Sequence, residues 1–220
     1  MTVLRKYLRR YTDLPALIYL LSNQCITLLD PETWDDKNDS HFVRLYKEKS
    51  GFQSVLALCF TQTSETYHHW RVFANGPSGV AISFKRDELL RGIKKKHGLR
   101  LGRVKYVKLP EMRHRKLATQ DLPFLKRYPF EHEIEYRILL ESSENLKACD
   151  IPISLSCIDK ITLSPWLNYA LFKKAKEILK KIKGCEDLKI VRSTLISNEE
   201  WKNFGESSTG SRRRRAIQRG

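Results

Sequence analysis

The run Gln53–Thr61, QSVLALCFT, constrains this chain more than any other stretch. Apolar residues fill it continuously, which is the pattern of a central strand covered on both faces. A chain built on such a strand needs a sheet around it and further layers over that sheet. At 220 residues there is length for one sizeable core and not for two.

Further strands are predicted at CITLLD, VAISF, LRLGRVKYVK, EIEYRILLE, CIDKITLS and LKIVRSTL. Helices are read between them. Thr12 or Asp13 can cap one that starts at Leu14–Pro15, with Leu14, Leu17, Ile18 and Leu21 as its stripe. Ser64 caps a short helix over SETYHHWRVFA, and KRDELLRGIKKKHG is a basic amphipathic helix stopped by Gly98. The clearest helix is Pro165–Lys183, with Ser164 at its cap and Gly184 past its end. PETWDDKNDS is turn-rich, and 109–128 reads as a polar, basic surface excursion. The sum is a single α+β domain over residues 1–205, with a mixed or antiparallel sheet flanked by helices. A disordered basic tail is expected over 206–220.

The formal net charge is +16; the tail holds +4 of it and the body +12. So basic a body favours polyanions: nucleic acid, an anionic cofactor such as a nucleotide, or an anionic membrane surface. The longest apolar run near the N-terminus, LPALIYLL, is too short to span a membrane and is followed by no cleavage site. Five cysteines, odd in number and without a C-x-x-C, read as reduced thiols. Cytoplasm, with no membrane partner, is the expected location.

No metal site is expected. His68 and His69 are adjacent and diverge on a helix, and the other histidines have no ligand-type spacing with a cysteine or carboxylate. Cys59 sits in an apolar run with no adjacent base, which describes a buried structural thiol. Neither G-x-x-x-x-G-K-[ST] nor G-x-G-x-x-G occurs. WDDKND (34–39) is either a polar turn bonding its own backbone or a contact for a divalent ion or a ribose hydroxyl. Thr61 and Thr63 share one face at the end of the apolar strand. They read as an ordinary strand end or as a hydroxyl pair that orients a substrate or a carboxylate.

FEHEIEYRILLE (130–141) is the stretch with the most chemistry. Read as a strand, it puts Glu133, Glu135 and Arg137 on one face and Ile134, Tyr136, Ile138 and Leu140 on the other. Such a row is either a solvated acidic edge or a carboxylate pair beside a substrate that becomes cationic. Cleavage of an N-glycosidic bond fits the second, because its oxocarbenium-like transition state gains from a carboxylate bonded to the sugar 2-hydroxyl.

Three segments carry a family resemblance: RRYTDLPALIYLLSNQCITLLDPETWDDKND, LALCFTQTSETYHHWRVFANGPSGVAISF, and FEHEIEYRILLE followed by IDKITLSP. In that order they resemble the bacterial domain-of-unknown-function family 2971, which implies no activity. The chain departs from that pattern at Thr61 and Phe73. More loosely, a basic strand, a hydroxyl-bearing strand and a Glu-x-Glu strand resemble the R-S-E signature of ADP-ribosyltransferases. That likeness implies an ADP-ribosyltransferase-like fold and NAD as cosubstrate. It assigns Arg10, with Thr12, to grip NAD phosphate or ribose, with Arg5 and Arg9 as competitors. It sets Thr61 and Thr63 at the central motif, Glu135 as the catalytic glutamate and Glu133 as the group that activates the acceptor. A threonine-based central motif and a long insertion before the glutamates are departures.

The expectation is therefore an NAD-dependent ADP-ribosyltransferase of a toxin or phage-defence kind, modifying a nucleic acid, with RNA the expected acceptor and an antitoxin a possible partner. Lys94, Lys95, Lys96 and Arg137 would contact the nucleic acid, and the arginine tail would hold phosphates. The rival readings are a non-catalytic nucleic-acid-binding protein and a metal-dependent nuclease using Asp36, Asp39 and the glutamates.

Overall fold

The computed structural model describes residues 6–94, 96–114 and 116–217. Tyr7–Asp13 forms β1, and Asp13 ends it by capping α1 (Leu14–Asn23), its carboxylate accepting from the Ala16 amide at 2.8 Å. Next come β2 (Cys25–Leu29) and α2 (Lys37–Ser50), the latter capped by Asp36. The apolar run is β3 (Ser54–Thr61), followed by α3 (Tyr67–Phe73), β4 (Gly79–Lys85) and α4 (Arg86–Ile93). The middle of the chain holds β5 (Leu99–Arg103), β6 (Lys105–Val107), the single turn α5 (Leu109–Met112), β7 (Leu125–Arg127) and β8 (Glu135–Ser142). The last elements are β9 (Ala148–Pro152), β10 (Ile158–Leu163), α6 (Tyr169–Lys180), β11 (Ile190–Arg192) and α7 (Glu199–Ile217).

Among the described residues, nine strands form one mixed sheet along the path β11-β10-β4-β1-β3-β2-β9, with β8 beside β3 and β5 beside β8. Only β10 and β11 run parallel within it. β3 is central, as its apolar run demands: β8 pairs with it from Ser54 to Thr61. Its other edge is divided, since β1 meets it at Arg9↔Thr61 and β2 at Leu29↔Ala57. The sheet forks there. Cys59 lies between the two meeting points, and the Arg10 guanidinium donates to its carbonyl at 3.2 Å, satisfying a group the fork would strand. Leu56, Leu58 and Phe60 share one core with Leu8, Ile82, Phe84, Ile138 and Leu140. Truncating one of these leucines to alanine would cost about 2–5 kcal/mol.

Several local expectations are corrected. α2 was not foreseen. α3 is capped by Thr66 rather than Ser64, and α6 begins at Tyr169 rather than Pro165. Ser164 is engaged with the Trp166 amide and the Gly76 carbonyl, so Asn168 caps α6 instead. α4 ends at Ile93, leaving Lys94 and Lys96 beyond its body. Gly98 (φ 77°) serves the entry to β5, where an added Cβ would lie 2.5 Å from the Glu141 carbonyl oxygen. The described residues of 109–121 are exposed or half-buried, as a surface excursion requires, but the segment then returns to the core, where Leu122 and Leu125 are buried and Leu122 packs with Val43, Tyr46 and Val55. Helix α7 runs from Glu199 to Ile217, and residues 218–220 of the expected tail lie outside the described residues. No described helix is long and apolar enough to cross a membrane.

Candidate active site

β8 begins two residues later than its sequence pattern suggests. Glu133 closes a 3-10 turn over Tyr128–Glu133, Ile134 adopts left-handed backbone (φ 43°, ψ 55°), and only Glu135 enters the strand. A β-branched residue in that region carries strain on the order of 1–3 kcal/mol. β3 holds the kink in place. The Gln62 amide donates to the Ile134 carbonyl at 3.0 Å, and the Thr61 hydroxyl donates to the Glu133 carbonyl at 2.6 Å. Thr61 also accepts from the Thr63 amide at 3.1 Å. The hydroxyl at the end of the apolar strand therefore orients the carboxylate turn.

Glu133 and Glu135, though not on one strand, reach the same cation. Lys126 Nζ lies 2.6 Å from Glu133 Oε2, 3.3 Å from Glu135 Oε2 and 3.6 Å from Asp39 Oδ2. Arg137 completes the cluster. Its Nε donates to Glu135 Oε1 at 2.6 Å, and its two terminal nitrogens grip the Asp39 carboxylate. It also donates to the Pro123 carbonyl at 2.9 Å and stacks 5.0 Å from the Trp34 ring centroid. Three carboxylates and two cations thus sit together almost without solvent.

The two glutamates are driven in opposite directions. Burial would raise the Glu135 pKa, but Arg137 and Lys126 overcome it and hold the group at about 2. For Glu133 burial prevails over Lys126, and the nearby Glu135 charge pushes the same way, so its pKa is raised. One carboxylate is fixed as an anion while its neighbour can exchange a proton, the division of labour of an acid–base pair. Burial and the Glu135 charge push the Cys59 thiol well up, so this cysteine is no thiolate nucleophile.

The first motif resolves differently from the sequence reading. In register, Arg9 lies opposite Thr61, and Thr61 opposite Glu135, so the three stand side by side on one face of β1, β3 and β8. About 10 Å of sheet separates the outer two. Arg9, half-buried, bonds the Thr63 carbonyl. Arg10 is occupied in the fork, and Thr12 lies opposite Val80 of β4, away from the carboxylates. Arg5 lies outside the described residues.

The expected nucleic-acid contacts also separate. Arg137 has no solvent exposure and every arm engaged, so it cannot meet a phosphate. Lys94 and Lys96 are exposed at the Gly98–Glu141 end of β8, six residues from Glu135, which is roughly 20 Å along a strand. Lys95 lies outside the described residues.

Sequence reasoning missed Lys126 and the role of Asp39. Asp36 behaves as the polar-turn reading requires, accepting from the Asn38 and Asp39 amides. That cap turns Asp39 inward to Arg137. Asp39 and Lys126 also line a cavity of about 760 Å³ with Asp36, Asn38, His41 and Leu125, a volume suited to a small-molecule ligand.

No family model matches the chain, so the likeness to the domain-of-unknown-function family finds no support, and no curated protein matches it. Solved structures of similar chain path include DarT from Thermus sp. 2.9 in complex with ADP-ribosylated ssDNA. There the identity is 8%, the TM-score 0.45, and the match covers 86% of this chain and 94% of that one. The same protein in complex with NAD+ matches at 9% identity and TM-score 0.45, covering 86% and 96%. With carba-NAD+ the values are 8% and 0.43 over the same shares. At such identity and TM-score the likeness carries no function across to this chain.

Proposed function

We propose that this chain is an NAD-dependent ADP-ribosyltransferase with a nucleic-acid acceptor, RNA first among the candidates. The observation that carries the reading is the row Arg9–Thr61–Glu135 across three adjacent strands. The R-S-E resemblance asks for that order, with Arg9 now in the place that the sequence offered to Arg10. NAD would lie against this row, with the cavity beside Asp39 and Lys126 open to part of it.

In the proposed reaction the bond between the nicotinamide nitrogen and ribose C1′ breaks, and its electron pair leaves with neutral nicotinamide. Glu135, held ionised, accepts from the ribose 2-hydroxyl and stabilises the positive charge that develops on the sugar. Glu133 takes the proton from the acceptor as it attacks C1′, for which a raised pKa brings it nearer the working pH. Lys126 covers both carboxylates, so access requires its Nζ to leave Glu135, the longer of its two glutamate contacts.

The nuclease reading is disfavoured by the same geometry. The centre among Asp39, Glu133 and Glu135, where a divalent ion would need to sit, is taken by Lys126 Nζ. The test is to incubate the protein and its Glu135→Gln variant with labelled NAD and RNA, DNA or cell lysate. Label transfer by the wild type and its loss in a variant that still melts cooperatively is the expected result. Nucleic-acid binding without nicotinamide release from either protein would overturn the reading, and magnesium-dependent degradation would favour the nuclease.

A further inference from the structure

The row that holds Glu135, Thr61 and Arg9 does not stop at β1. Arg9 lies opposite Ser83 of β4, and Ser83 opposite Lys160 of β10, so the row crosses five neighbouring strands. Directly opposed residues share a face of the sheet. The core agrees with this, since Leu8, Ile82, Phe84 and Ile161, which alternate with the row, pack together on the other face. On the row's own face Tyr11 and Ala81 pack under Trp70 of α3, and Val43 and Tyr46 of α2 cover Val55 of β3. Thr61 and Ser83 are buried in the strip between these contacts, while Arg9 and Lys160 are half-buried and reachable from solvent.

Charge changes sign along the row. Glu135 is an anion at one end, and Arg9 and Lys160 are cations beyond it. The Arg9 guanidinium bonds the Thr63 carbonyl and lies 5.6 Å from the Tyr7 ring centroid, with no carboxylate in an ion pair with it among the described residues. No ion pair or hydrogen bond among those residues engages the Lys160 ammonium. Taking a cation part-way out of water without a counter-ion is unfavourable, and an arriving anion removes that penalty. We infer that Arg9, Ser83 and Lys160 form a diphosphate subsite. A dinucleotide would then lie across the strands, its reacting ribose at β8 and its adenosine towards β10. NAD has the matching polarity, with the sugar that develops positive charge at one end and two phosphates following it. Two strand spacings set Arg9 and Lys160 about 10 Å apart, a gap that two long cationic side chains can close on one diphosphate. The Ser83 hydroxyl stands between them as a further donor. A nucleic-acid strand suits the row less well, because its phosphates would run on into the carboxylates at β8. The orientation of the dinucleotide rests on the transferase reading, whereas binding of a diphosphate does not.

The test is calorimetric titration of the full chain with ADP-ribose, adenosine and single-stranded oligouridylate, using the wild type, Lys160→Met and Lys160→Arg. The wild type is expected to bind ADP-ribose more tightly than adenosine. Lys160→Met should weaken ADP-ribose at least about tenfold at unchanged melting temperature, and Lys160→Arg should stay within about threefold of the wild type. In nicotinamide release the KM for NAD should rise at least about tenfold in Lys160→Met, with kcat within about twofold. Equal ADP-ribose affinity in the wild type and Lys160→Met overturns the inference, as does a wild type that does not bind ADP-ribose. A loss confined to oligouridylate also overturns it, because the lysine would then serve the acceptor. If no protein releases nicotinamide but Lys160→Met still loses ADP-ribose, the transferase reading falls and the diphosphate subsite stands.

Discussion

Arg137 and Asp39, 98 residues apart in sequence, meet in a two-pronged ion pair that solvent does not reach. The pair ties α2 to β8, and through Arg137 Nε it also fixes Glu135. Removing the guanidinium strands two buried carboxylates, which is far more damaging than never having buried them. Arg137→Met should therefore destabilise the fold by about 3–5 kcal/mol in urea unfolding. Adding Asp39→Asn should recover part of that loss, because the second change removes one stranded charge. A loss under 1 kcal/mol in the single variant would show that water relaxes into the cluster.

Lys126 is expected to set the proton affinity of Glu133. Its charge and hydrogen bond oppose the burial that raises the Glu133 pKa. With Lys126→Met that opposition is gone, and Glu133 keeps its proton to higher pH. The acid limb of the pH profile for ADP-ribosyl transfer should move upward, with nicotinamide release at high pH less affected. A profile of unchanged shape would mean that Glu133 is not the group that loses the proton.

Ile134 stores strain at the point where the two glutamates diverge. Glycine adopts φ 43° without a steric penalty, although it gives the unfolded chain more freedom. Ile134→Gly is expected to leave stability within about 1 kcal/mol of the wild type, because these effects oppose each other. Transfer activity should be retained, since the bonds that hold the kink go to the Glu133 and Ile134 carbonyls and none uses the Ile134 side chain. A loss of activity with stability unchanged would show that the Ile134 side chain itself positions the Glu133 carboxylate.

What could be read from the sequence divides along physical lines. β3 was legible because its apolar run allows only a central strand, and Asp13 and Pro15 marked the start of α1. The order of basic, hydroxyl and carboxylate segments was legible too, and the three do converge. Which arginine stands in the row was not, because register depends on how β1 meets β3 at the fork. Glu133 was misread as a strand residue: alternation over FEHEIEYR matches a strand, and nothing local reveals that Ile134 turns left-handed. Lys126 and Asp39 were hidden for a different reason. Each looks like surface charge in its own segment, and only long-range ion pairing makes burial tolerable.

Acid should undo the fold in two windows with separate owners. His69 is buried, and burial, with His68 nearby, lowers its pKa to about 4, so the folded state prefers the neutral ring. A depressed folded value gives stability that is complete above the unfolded value near 6.5 and is lost as pH falls towards about 4. Glu135 follows below it: its contribution is complete above about 4.5 and disappears as pH falls towards about 2. Glu133, with a raised value, works in the opposite sense, because protonation favours its folded form. Chemical unfolding of the wild type should therefore show stability declining from about pH 6.5 downward. In His69→Gln the upper part of the decline should flatten, and in Glu135→Gln the part below about pH 4.5. If both variants kept the wild-type slope, neither group would be the one that acid attacks.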